Sequence, residues 1–536
     1  MKKKLIATLL SVSLALSLAA CGNKAADDKK KDNGKAQEQK ADTAKKKDGG
    51  TVILSASTDP TSLNPFFRYN RITYTVSNAL FDPLFREHNG KKEYCLAKDL
   101  KISEDMLTYT LTLKDGLKWH DGEKITADDI VYTVKALLDK NQNIEARGSF
   151  VINDKDVKVE KKDDLTVEFK LPQVYVPFES ALGDFRPIPK HIFEKEKSME
   201  KAEASTAKPV GSGPFKFKEW KKGEMLTLER FNDYHNGKPS VEKFVFRISS
   251  DSNATSAAFQ NGEITATYLS DEKYLKYSKD ENFKTYTFDE GMVNYIVFNT
   301  KNPILQKKEV RQAISYALNK EEILKSDAGT TELTKKAYSV MPPSAKFYTE
   351  DIEKYEHNMD KAKELMKKAG VSKGKLKFMY KGEDETEKKM VLVVQQQLKE
   401  IGIDVEAVSI DTQTFFAKLM GEKERDYDLI INGYVMGDEP SAYGEVYSTK
   451  ASFNASQHSN KELDKLFDDA KVEKDEAKRK EMYEKVQKII AEDASVYTLD
   501  YSISKVGATK KLAGVEEAKL VPIYMFEDLS KLYFTE

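Results

Sequence analysis

The tightest constraint on this fold lies between residues 376 and 431. Residues 376–380 (Leu-Lys-Phe-Met-Tyr) read as a strand, a charged turn follows, and residues 387–399 read as a helix stopped by Gly402. Residues 403–408 then give a second strand. Parallel neighbours in a sheet need a long crossover, usually a helix, so this spacing predicts an α/β unit. Leu429-Ile430-Ile431 adds a strand that is apolar on both faces, as in a parallel sheet covered on both sides. Helices at 461–471 and 476–491 and a strand at 496–500 complete that end of the chain.

The preceding part is richer in strands. Residues 51–55 begin folded structure, and 107–113 and 165–171 alternate apolar with polar residues as half-buried strands do. Between them Thr126-Ala127-Asp128-Asp129 reads as a helix start, with Ile130, Val134, Leu137 and Leu138 as its apolar stripe. Further strands are expected at 215–217, 225–228, 244–248 and 295–298. The last leads into one long helix over 308–325.

A chain of 536 residues exceeds one hydrophobic core, so two or three domains are expected. Lys+Arg 87 against Asp+Glu 88 leaves no surplus of positive charge, which argues against a nucleic-acid binder. Cys21 and Cys95 are the two cysteines, too few for a disulfide framework once Cys21 is assigned to the N-terminal signal.

That signal is read from residues 1–21: three lysines after Met1, an apolar run over 5–18, and Leu18-Ala19-Ala20-Cys21. The run would make about 21 Å of helix at ~1.5 Å per residue, short of the roughly 30 Å hydrocarbon core. It reads as an export signal. The closing tetrapeptide resembles a bacterial lipobox, so residues 1–20 are expected to be removed and Cys21 lipidated. Residues 21–50, rich in Lys, Ala, Asp and Gln and free of aromatics, read as a flexible tether.

Four stretches resemble one family in the right order. They are residues 117–131, around Trp119-His120-Asp121-Gly122; Val210-Gly211-Ser212-Gly213-Pro214-Phe215 with Glu219-Trp220; Leu228-Glu229-Arg230 with Asp233-Tyr234; and Phe298-Asn299 followed by residues 310–318. Together they resemble the extracytoplasmic solute-binding proteins, family 5, that serve peptide and nickel ABC importers, closest to the oligopeptide-binding members. The resemblance implies a large, two-lobed α/β fold of the type II periplasmic-binding-protein kind with an extra inserted subdomain. Lobe I would comprise residues 51–88, 206–296 and 496–536, the inserted subdomain 89–205, and lobe II 297–495. Chain crossings near residues 295–300 and 496–500 would form the hinge.

The resemblance also points to ligand-binding residues. Asn432, Gly433, Tyr434, Met436 and Asp438 follow a buried strand and precede Glu439-Pro440. Peptide-binding members carry an aspartate four positions before that proline, which pairs with the ligand's amino terminus. This chain has Met436 there, and Asp438 is the nearest acid. Asn294 and Tyr295 fall at the crossing between lobes, and Phe66, Tyr69 and Tyr74 follow the first strand toward the cleft.

Catalytic patterns are missing. Gly211-Ser212-Gly213 lacks the Gly-x-Ser-x-Gly frame of a nucleophile elbow, and no phosphate-binding loop occurs. The six histidines show no His-x-x-x-His spacing, and there is no Cys-x-x-Cys. The expectation is therefore a monomeric, lipid-anchored binding protein on the extracytoplasmic face of the cell membrane, without cofactor or enzymatic activity. It would capture oligopeptides for an ABC permease, and a nickel chelate is the alternative cargo.

Overall fold

The computed structural model describes residues 45–88, 91–142, 144–328, 331–421 and 425–536. The signal segment, Cys21 and the tether as far as residue 44 lie outside the described residues. Residues 46–47, inside the stretch read as tether, pair antiparallel with Tyr533–Thr535. Both lysines are exposed, and the Lys46 ammonium lies over the Tyr533 ring of the partner strand.

An eleven-stranded sheet organises the chain. One half runs Phe215–Lys221, Met225–Arg230, Lys243–Ile248, Thr51–Ala56 and Ala266–Tyr268. The other runs Leu429–Val435, Gly374–Lys381 and Ile403–Ile410. Two long antiparallel strands, Phe283–Phe298 and Val496–Thr509, lie between the halves and belong to both. The strands Gly374–Lys381 and Ile403–Ile410 are parallel neighbours joined by the helix Glu385–Lys399, as the spacing predicts.

Alternation along the strands builds a core on each face of the second half. Ile296, Phe298, Leu376, Phe378, Leu429 and Ile431 meet Val310, Ile314, Val391 and Leu398 from helices on one face. Val293, Tyr295, Met379 and Ile430 meet Phe415, Phe467, Tyr483 and Val486 on the other. The expected long helix over 308–325 is two helices, Lys308–Ala317 and Lys320–Ala328. Leu318 turns extended at the break, and the Asn319 carboxamide accepts from Glu322 N at 3.2 Å, capping the second helix.

The first half has one large core and a small separate cluster of Ala258, Phe259, Ile264 and Tyr277. Val52, Leu54 and Phe244 pack with Tyr109, Leu111, Val167 and Phe169 of a separate four-stranded sheet, which carries the helix Ala127–Leu138. That helix opens with a capping box between Thr126 and Asp129. Cys95 is buried and free. The Trp119-His120 stretch is architectural. His120 Nδ1 accepts from Gly211 N at 3.1 Å and Nε2 meets Gly213 O at 3.0 Å. This clamps the Gly211-Ser212-Gly213 turn onto the end of helix Arg71–Leu80. Ser212 Oγ accepts from Asp82 N there, the work of a buried turn residue.

Candidate ligand-binding cleft

The two halves meet where the long strands lose register. Pairing runs from Phe283↔Thr509 to Asp289↔Ile503, breaks, and resumes at Val293↔Tyr501. Residues 290–292 thus bulge opposite Ser502, and Gly291 takes φ +66°, a conformation that disfavours side chains. A Cβ on Gly291 would stand 3.5 Å from Pro522 of the first half, and 3.8 and 4.0 Å from Ser344 and Val435 of the second. The break therefore lies at the boundary. The expected crossings at 295–300 and 496–500 lie on or just past these same two strands, beyond the break.

A buried carboxylate fixes the bulge to the first half. Glu290 accepts from Arg71 Nη2 at 2.8 Å, from Ile523 N at 2.9 Å and from Ser504 Oγ. Arg71 also donates to Tyr268 OH at 2.9 Å and lies over its ring. Beside it Arg68 bonds Asp184 at 3.0 Å and covers Tyr74, which packs edge-on against Tyr524. Phe66 packs toward Phe185 at the edge of the core, whereas Tyr69 is 61% exposed. Sequence reasoning named the aromatics but missed Arg68, Arg71 and Glu290. The one available signal was the acidic pair Asp289-Glu290 before Gly291, interrupting an otherwise sheet-like run.

Strand alternation divides the residues expected to read ligand. Asn294 and Gly433 share one face, where Asn294 Nδ2 donates to Asp500 at 3.2 and 3.3 Å. Gly433 has no room for a side chain, because a Cβ would meet Asn294 Oδ1 and Val293 O, both at 2.8 Å. Tyr295, Asn432 and Tyr434 occupy the opposite face. The Tyr295 ring is buried near Tyr447, and Tyr434 packs against Phe453. Met436 lies against the same cluster.

Beyond it Gly437, at φ +74°, turns the chain and leaves Asp438 exposed, with its carbonyl accepting from Lys346 N at 2.9 Å. Glu439 does a different job. It caps the turn Pro440–Tyr443 through Ser441 N and pairs with Arg479 at 2.5 Å. Burial raises the Asp500 carboxyl to about 6, against the pull of Asn294, Lys505 and Lys320. Among the described residues no group of three or more His, Cys, Asp or Glu side chains is placed to hold a metal ion.

Two α/β halves joined by paired crossing strands, with polar and aromatic groups at the junction, define a binding protein rather than a scaffold for a single rigid core. Comparison with known proteins agrees. Residues 93–457 match the family described as bacterial extracellular solute-binding proteins, family 5 Middle. The oligopeptide-binding protein AppA of Bacillus subtilis is 31% identical, over 98% of this chain and 98% of its own. The crystal structure of the ABC transporter substrate-binding protein CtaP from Listeria monocytogenes superposes with a TM-score of 0.88 at 43% identity, covering 91% of this chain and 100% of that one. That of Bacillus subtilis AppA in complex with a nonapeptide gives 0.78 at 29% identity, covering 92% and 100%. This chain belongs to the family 5 bacterial extracellular solute-binding proteins.

Proposed function

We propose that this protein is the substrate-binding component of an ABC importer, that it captures oligopeptides in the cleft between its halves, and that it passes them unaltered to a membrane permease. The observation that carries this reading is the end-to-end similarity to AppA, an oligopeptide-binding protein whose structure holds a nonapeptide. An extended peptide has backbone donors and acceptors that must be satisfied once buried. Strand-edge groups at the junction can do so without regard to sequence. Side chains would then point into hydrated pockets, where water adapts to different chemistries. Nothing in this cycle requires a reaction at the ligand, so we assign no enzymatic activity.

In the same reading residues 51–88, 206–296 and 496–536 form lobe I with 89–205 inserted in it, and 297–495 form lobe II. Cys21 carries the lipid that moors a monomer to the extracytoplasmic face of the membrane. Asn432, Gly433, Tyr434 and Met436 contribute to the lobe II wall, and Asn294 and Tyr295 stand at the crossing beside it, on opposite faces of the strand. Asp438, exposed just past the strand, receives the peptide's amino terminus through a charge-assisted bond.

Mass spectrometry of material co-purifying with the protein should find peptides, and calorimetry should measure their binding. Asp438→Asn should weaken free-amine peptides by about ten- to a hundredfold while leaving N-acetylated ones unchanged, as expected for a charged hydrogen bond of about 1.5–3 kcal/mol. Equal losses for both would remove Asp438 from the site. Failure of every peptide to bind would remove the peptide reading.

A further inference from the structure

At the carboxyl ends of the parallel strands Thr51–Ala56, Lys243–Ile248 and Ala266–Tyr268 the first half holds a cavity of about 380 Å³. Ligands of open α/β sheets bind in the crevice beyond these ends. The volume lies within the roughly 300–1,000 Å³ of small-ligand pockets. Its floor is apolar, made by Leu54, Phe246 and Phe259. Hydroxyls surround the floor, among them Ser55, Ser256 and Thr267. Two cations, Arg71 and Lys273, stand in its wall, and no residue that lines it is acidic.

The cavity is joined to the boundary between the halves. Arg71 lines it and also bonds Glu290 in the bulge of the crossing strand, and Asn70, another lining residue, follows the exposed Tyr69. Its far wall includes Met525, at φ +67°, two residues after Ile523 at φ +66°. Such φ values are uncommon for any non-glycine residue and a true outlier for a β-branched one. Strain of this kind collects at ligand clamps. Here it brings Ile523 N onto Glu290 while turning Met525 into the cavity wall.

We propose that this cavity is the side-chain subsite that gives the protein its peptide preference: it takes one bulky uncharged side chain, aromatic foremost, and turns away lysine and arginine. This rests on the peptide-binding reading above. The apolar floor gains from covering a ring, the hydroxyl rim satisfies a phenol or indole N–H, and Lys273 repels a second positive charge, Arg71 being already paired with Glu290.

The test is a set of pentapeptides in which each position in turn carries Ala, Trp, Tyr or Lys, with affinities measured by calorimetry on the full-length protein. At one position Trp and Tyr should bind about tenfold more tightly than Ala, and Lys about tenfold more weakly, the range expected when a pocket discriminates by size and polarity. Ser256→Trp, on the cavity rim, should abolish the aromatic advantage while alanine peptides still bind. Lys273→Glu, which needs no repacking, should raise the affinity of the lysine peptides. If peptides bind but no position discriminates, or both variants keep the wild-type ratios, the subsite is wrong and the peptide reading stands. If the wild type binds no peptide of the set, both fall together.

Discussion

Asp500 stands on the returning strand, and burial lifts its carboxyl from 3.8 to about 6. A raised folded value means that the folded state holds the proton more tightly. The contribution to stability is complete below about 4 and is lost as pH rises through about 6. At about 1.36 kcal/mol per pH step the loss is about 3 kcal/mol. His120 acts in the opposite sense. Burial lowers it from 6.5 to about 4, so its contribution is present above 6.5 and lost as the pH falls toward 4. The two slopes nearly cancel between pH 4 and 6. Asp500→Asn should expose the His120 slope: the variant should exceed wild type by about 3 kcal/mol at pH 7 and match it at pH 4, as read by urea unfolding across that range. A gap that does not change with pH would show that Asp500 is not the raised group. Neither shift was legible in the sequence, because both come from what packs around the side chain.

Elements with regular periodicity were legible, and those defined by close approach were not. The strand–helix–strand unit at 374–410 follows from its spacing, and the helix Ala127–Leu138 from its cap and stripe. The crossing strand Phe283–Phe298 is far longer than the apolar run at 295–298, since its first half alternates around Thr and Lys rather than around aliphatics. Gly211-Ser212-Gly213 read as a plain turn, yet there the chain lies against the end of helix Arg71–Leu80. A Cβ on Gly211 would sit 1.9 Å from Leu80 O, and one on Gly213 2.5 Å from Ala79 O. Gly211→Ala should therefore cost about 3 kcal/mol, the upper end for overpacking. Gly223→Ala is the control, with φ +76° but nothing within 4 Å, and should cost about 1–2 kcal/mol from backbone strain alone. Gly211 itself lacks a positive φ, so equal losses in urea unfolding would mean that the chain shifts to relieve the contact at little cost.

On the scale of the whole molecule, the strands Phe283–Phe298 and Val496–Thr509 link the two halves of the sheet, and their pairing breaks register between Asp289 and Val293. A ligand would drive a rotation about two adjacent strands only through contacts that differ between open and closed forms. The sequence drew attention to residues 432–438 on one side of the break, but the groups on its other side, Arg68, Arg71, Glu290 and Tyr524, are united by no local pattern. The far lip of the junction also forms between distant segments, where Val176 N donates to Lys471 O at 2.8 Å, joining the inserted region to the helix Lys461–Val472. A single backbone bond is worth about 0.5–1.5 kcal/mol, too little to hold the halves together without ligand. A covalent bond at that point would remove the dependence on ligand. The backbone contact makes this pair the natural place for a disulfide, which spans roughly 4.4–6.8 Å between Cα atoms. Val176→Cys with Lys471→Cys, oxidised after peptide is added, should slow peptide release at least about tenfold, and dithiothreitol should restore the wild-type rate. If the oxidised protein releases peptide as fast as the reduced one, release does not require the halves to part at this lip, and the crossing strands are a rigid seam rather than a hinge.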